Sequence, residues 1–213
     1  MVYNCGMSMD DLNKLIEGGA ETPNIDFKGT CPWDARSFAK DVLAMSNIAD
    51  GGRLIIGIAE KPKGVFNREG VTVEDKKTYQ IDVMRDQLTK YTDPFVEIAV
   101  YFVKDTADGK DYVIIRVEPF KEVPIICKCN DQMVGLTAGG IYYRNRNRRI
   151  ESALVSNSYD MRDVIERAML KMRYRALRIG YQLPPINDSD VVQSALDKQM
   201  AHLKGLQRER ADL

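Results

Sequence analysis

Histidine is nearly missing from this chain: His202 is the single one among 213 residues. The four cysteines, Cys5, Cys31, Cys127 and Cys129, include no Cys-x-x-Cys pair. A structural zinc site takes four Cys or His ligands in close pairs, so that chemistry is disfavoured, and the cysteines read as reduced core or surface thiols. Trp33 is the lone tryptophan, and with no partner motif it reads as a packing residue, as His202 reads as a surface one. Net charge is lacking too, since 31 Lys and Arg balance 31 Asp and Glu. No apolar run reaches the roughly eighteen residues that a membrane span needs, and no basic start leads into an apolar core. A cytoplasmic protein without a membrane partner is the expectation.

What is present is a hydrophobic fraction of 44%, enough for a packed core in a chain of this length. Basic charge is concentrated: residues 144 to 178 hold 10 Lys or Arg against 4 Asp or Glu, while those before hold 17 against 22 and those after 4 against 5. A short helix is predicted after Ser8, ending at Gly18-Gly19. In Asn24 to Gly29, Ile25 and Phe27 alternate with Asp26 and Lys28, the pattern of a half-buried strand. Asp34 is placed to cap a helix from Ala35 to Ala49 with Phe38, Val42 and Met45 inward. Arg53 to Ala59 reads as one strand covered on both faces, with Glu60 at its exposed end.

A helix over Val73 to Lys90 precedes Pro94. A hairpin of Phe95 to Val103 with Tyr112 to Val117 turns at Asp108-Gly109. Val123 to Cys129 and Ile141 to Arg144 suggest further strands, and helices are predicted over Ser158 to Arg178 and about Asp188 to Arg208. The expected class is α+β, a mixed and largely antiparallel sheet with flanking helices. Residues 1–157 form the expected domain and residues 158–213 a helical extension.

Without histidine, the chemistry left to this chain is that of carboxylates and metals. Glu21, Asp26 and Glu60 stand near Lys28 and Lys61, and clustered carboxylates holding Mg²⁺ or Mn²⁺ can neutralise a phosphodiester, activate a nucleophile and stabilise the leaving oxygen. The same alternation also suits a solvated strand face of weak surface ion pairs. Arg144, Arg146, Arg148 and Arg149, beside Tyr142 and Tyr143, combine guanidinium groups for phosphates with rings on which bases stack. Gly51-Gly52 follows a predicted helix and lacks a Walker lysine, so it reads as a helix stop rather than a nucleotide loop.

Taken in order, Glu21, Asp26-Phe27-Lys28, then Ser46-Asn47-Ile48-Ala49-Asp50-Gly51-Gly52, then Leu54-Ile55-Ile56-Gly57-Ile58-Ala59-Glu60 and Ile141-Tyr142-Tyr143-Arg144, the motifs resemble the Schlafen AlbA-type domain over residues 10 to 160. The resemblance implies an α+β nucleic-acid-binding domain, found in bacterial regulators and in animal Schlafen proteins, some of which cleave transfer and ribosomal RNA. It implies that the three acids of the nuclease members fall on Glu21, Asp26 and Glu60, as catalytic residues and metal ligands, with Lys28 and Lys61 on the phosphate. Two acids have exchanged Asp for Glu or the reverse, and Ala59 stands where the family has an Asp. Three readings therefore stay open: a divalent-metal endoribonuclease acting on tRNA or other structured RNA, with RNA preferred over DNA; a non-catalytic DNA-binding or regulatory module; or an interaction protein whose C-terminal helix supplies assembly. By analogy with the paired lobes of animal Schlafens, a homodimer is the expected assembly.

Overall fold

The computed structural model describes residues 22–60, 65–105, 109–144 and 150–181; the helices expected after Ser8 and over residues 188–208 lie outside them. The alternating residues form β1 (Ile25–Lys28), and Asp34 caps α1 (Ala35–Ser46), its carboxylate accepting from the Arg36 and Ser37 amides. The apolar run expected as one strand is two, β2 (Gly52–Ile56) and β3 (Ile58–Glu60). Gly57 separates them with φ of +104°, a conformation costly to any side chain, and a Cβ there would stand 3.0 Å from the Gly70 backbone and from the Tyr112 ring. Released at Gly57, β3 pairs with β4 (Phe66–Arg68) instead.

The single helix expected over 73–90 is broken into α2 (Val73–Lys76) and α3 (Ile81–Leu88). Between them the Thr78 hydroxyl donates to the Asp75 carbonyl at 2.6 Å and accepts from the Trp33 amide at 2.8 Å, while Tyr79 turns inward and donates to the Cys31 carbonyl at 2.7 Å. Tertiary hydrogen bonds here outweigh helix propensity, a weak prior over so few residues. Then follow β5 (Thr92–Asp93), β6 (Ile98–Lys104), β7 (Asp111–Val117), β8 (Ile126–Cys127), β9 (Tyr142–Arg144), β10 (Ser152–Leu154) and α4 (Ser158–Arg178). The hairpin and α4 match expectation, whereas the strand expected over 123–129 is only two residues long.

The main sheet runs β1-β2-β7-β6, with β1 parallel to β2 and the other pairs antiparallel. Leu54 and Ile56 of β2 join Phe38, Val42 and Met45 of α1 and Met84 and Leu88 of α3 on one side. Ile55 packs with Ile25, Phe27, Tyr112 and Ile114 on the other. Both faces of β2 are thereby covered, as its unbroken apolar sequence demands. Helix α1 lies close on the sheet because position 52 has no side chain: a Cβ on Gly52 would fall 2.4 Å from the Met45 Sδ.

Past the last turn of α1, Asn47 is wholly buried. Its amide nitrogen shares two N–H groups among the carbonyls of Leu43, Ile125 and Tyr142 at 2.8 to 3.1 Å, and its oxygen accepts from the Ile125 amide at 2.9 Å. One side chain thus ties α1 to the loop before β8 and to β9. The chain divides into compact units Met1–Met172 and Arg173–Leu213. In the early turns of α4, Val164 is fully buried against Ile48 and Tyr143. No described helix is long and apolar enough to cross a membrane.

Asn47→Ala strands several buried polar groups at once, and is expected to destabilise the domain by about 3 kcal/mol. Urea denaturation monitored by Trp33 fluorescence checks this; a loss under about 1 kcal/mol would mean water replaces the amide.

Candidate functional site

Residues two apart on a strand face the same way, so β1 turns Asp26 and Lys28 to one side. That side is not open solvent. Asp26 is 7% exposed, because α1 and β9 close over it. Arg144, at the end of β9 and 1% exposed, donates from Nη1 to the Asp26 Oδ1 at 2.9 Å, with weaker contacts at 3.4 Å to the Ser152 hydroxyl and the Ile25 carbonyl. The other Asp26 oxygen meets the Lys28 ammonium at 2.9 Å, and that ammonium also meets the Asp41 carboxylate at 2.9 Å. The result is a row of alternating charge, Arg144, Asp26, Lys28, Asp41, running from β9 across β1 to α1.

Burial works to lower the pKa of the Lys28 ammonium, but Asp41 and then Asp26 outweigh it and hold the group above the ordinary lysine range. Asp26, Lys28 and Asp41 of this row, but not the enclosed Arg144, line a cavity of about 620 Å³ together with Lys40, Met133, Glu151 and Ser152. Ser37, Lys40 and Asp41 come to that wall together because residues three and four apart share a helix face.

Several positions differ from the sequence expectation. Arg144 was expected to meet phosphate at the surface; its guanidinium is enclosed and committed to Asp26. Tyr142 is 1% exposed, its hydroxyl donating to the Gly135 carbonyl at 2.7 Å and accepting from the Thr137 amide at 2.9 Å. Tyr143 is also buried, and its hydroxyl donates to the Asp163 carboxylate. Neither ring is a platform for a base, since both are spent on packing. Arg167 of the basic helix bonds Asp163 at 2.7 Å and lies over the Tyr143 ring, and Lys171 donates to the Phe120 carbonyl. Glu21, Lys61, Arg146, Arg148 and Arg149 lie outside the described residues.

Glu60 is exposed at the end of β3 and does not line the cavity to which Asp26 contributes. Asp26 and Asp41 are bridged by the Lys28 ammonium, and among the described residues no three His, Cys, Asp or Glu side chains converge. As arranged, the described donors do not fit Mg²⁺ or Mn²⁺. Asp41 is the participant that the sequence reading missed. Its signal was available: it stands three residues after Phe38 and four before Met45, on the inward stripe, where an unpaired acid is not tolerated.

Residues 21–152 match the family model described as Schlafen, AlbA_2. Two similar solved structures are the DIP2311 protein from Corynebacterium diphtheriae, 19% identical over 73% of this chain with a TM-score of 0.44, and the N-terminal domain of a RecG-related protein from Nitrosomonas europaea, 22% identical over 68% with a TM-score of 0.46. The match covers 27% of the first protein and 95% of the second domain. No curated protein matches the chain.

Removing one partner of a buried ion pair strands the other, so Arg144→Met is expected to cost about 3–5 kcal/mol, and the double variant Asp26→Leu/Arg144→Met less than that. Denaturant titration of the three proteins decides, and a double variant no better than the sum of its singles would deny the coupling. The raised Lys28 pKa makes its contribution to stability complete below the ordinary value of 10.5, to be lost as pH rises through the folded-state value. The stability gap between wild type and Lys28→Met should accordingly stay flat from about pH 6 to about pH 9, measured by the same titration.

Proposed function

Since the chain belongs to the Schlafen AlbA_2 family, we propose that it is a nucleic-acid-binding domain, with RNA, including tRNA and other structured RNA, preferred over DNA. The observation that carries this reading is the cavity of about 620 Å³ with Lys28 and Lys40 on its wall. Every residue lining it falls within the stretch that the family model matches. Lysine ammonium groups meet phosphate as point charges, and the resulting affinity is salt-sensitive and weakly sequence-selective. Arg146, Arg148 and Arg149, which follow Arg144 in the sequence, are the further candidates for phosphate contact.

Engagement of Asp26 by Arg144 and Lys28 favours binding without cleavage. The second reading, a metal-dependent endoribonuclease using Glu21, Asp26 and Glu60, is favoured by the order of those acids in the sequence. It requires Asp26 to exchange its cationic partners for Mg²⁺ or Mn²⁺.

Purified protein incubated with tRNA, single-stranded RNA and duplex DNA, in Mn²⁺, Mg²⁺ or EDTA, separates the two. Binding that persists in EDTA without cleavage is the expected result. Cleavage abolished by EDTA and by Asp26→Asn would establish the nuclease instead, and failure to bind any of the three would end both readings. Replacing Arg146 and Arg148 with Ala should weaken binding and lower its salt slope by about two.

A further inference from the structure

Met133 is 85% exposed, the most exposed large apolar side chain among the described residues. The loop that carries it is firmly held. Asp131 accepts two bonds from the Arg36 guanidinium, at 2.5 and 2.7 Å, and one from the Met133 amide at 3.1 Å. Asn130 accepts from the Ala138 amide at 2.9 Å, and the Tyr142 hydroxyl bridges Gly135 and Thr137 from below. An apolar side chain presented to water on a pinned loop has no packing role in the domain, and methionine is suited to the face of an aromatic ring.

Lys28 and Lys40 share with Met133 the lining of the same cavity of about 620 Å³, to which Glu151 and Ser152 also contribute. This volume is that of a small-molecule site rather than of a duplex groove. Three carboxylates and two ammonium groups line the cavity. With Asp26 and Asp41 offset by Lys28 and Arg144, the lining offers Met133 as an apolar contact for a ring, the Lys40 ammonium for a phosphate, and the Glu151 carboxylate and Ser152 hydroxyl for the N–H and O–H donors of a base or ribose. A base can reach such a site only when unstacked, since a paired base has both faces covered.

We infer that this cavity receives one unpaired nucleotide of the bound strand, its base against Met133 and its phosphate at Lys40. The inference rests on the nucleic-acid-binding reading and deepens it by naming the recognised unit as a single-stranded nucleotide. Lys28, tied to two carboxylates, positions Asp26 and Asp41, whereas among the described residues no ion pair holds Lys40.

The test uses a single-stranded RNA with 2-aminopurine at one position, and its duplex with the complementary strand, at several salt concentrations. The single strand should bind at least about tenfold more tightly than the duplex, with a change in 2-aminopurine fluorescence as the base leaves its neighbours. Met133→Ser should weaken single-strand binding by about tenfold and leave the salt slope unchanged, because it removes an apolar contact. Lys40→Ala should weaken binding and lower the slope by about one. Both side chains stand outside the core, so folding is retained, and circular dichroism verifies it. Met133→Ser binding as tightly as wild type, or duplex bound as well as single strand, would overturn the inference while leaving nucleic-acid binding intact. Absence of binding to every nucleic acid would overturn both.

Discussion

Asp26 and Arg144 are 118 residues apart in the chain, yet the carboxylate accepts from the guanidinium at 2.9 Å in a place almost closed to water. Such a pair adds little net stability over apolar residues of similar volume, because desolvation consumes much of the attraction. It does penalise every arrangement in which either charge is buried alone. β9 must therefore bring Arg144 to Asp26 of β1, and β10 follows because Ser152 pairs with Arg144. With one Asp26 oxygen taken by Arg144, the other is left to Lys28, and Lys28 in turn calls for Asp41 on α1. The cavity wall is a by-product of this order of obligations.

Helix α1 shows how few polar residues such an arrangement needs. Asp34 starts the helix, Asp41 holds Lys28 from its middle, and Asn47 takes up the chain where it stops. Around them Phe38, Val42 and Met45 supply the apolar contact with the sheet. The cavity lining thus depends on one helix, since Arg36 pins the Met133 loop and α1 itself contributes Ser37, Lys40 and Asp41. A displacement of α1 would alter both the ammonium groups and the loop.

Local patterns were readable wherever local physics decides the outcome. Asp34 as a cap, the Ile25 and Phe27 alternation, the hairpin and the bounds of α4 follow from propensity and periodicity within a few residues. The division at Gly57 and the break between α2 and α3 were not readable, because each depends on what arrives from elsewhere: Gly70 and Tyr112 against position 57, Trp33 and Cys31 against Thr78 and Tyr79. The site divides in the same way. Asp26 and Lys28 could be placed together on one strand face from the pattern, but a row of arginines says nothing of which one turns inward. Arg144 does so because Asp26 waits there, a fact that only the tertiary fold supplies. Tyr142 and Tyr143 misled for the same reason, since an aromatic residue beside arginine has the same sequence appearance whether its ring stacks on a base or fills a core.

Gly52 and Met45 carry a consequence for descent. Sheet and helix approach so closely that a Cβ at 52 would overlap the Met45 sulfur at 2.4 Å, and Met45 is fully buried with nowhere to retreat. The two positions hold one shared volume. Relatives that gain a side chain at the first should have given up atoms at the second, so the two positions are expected to change together.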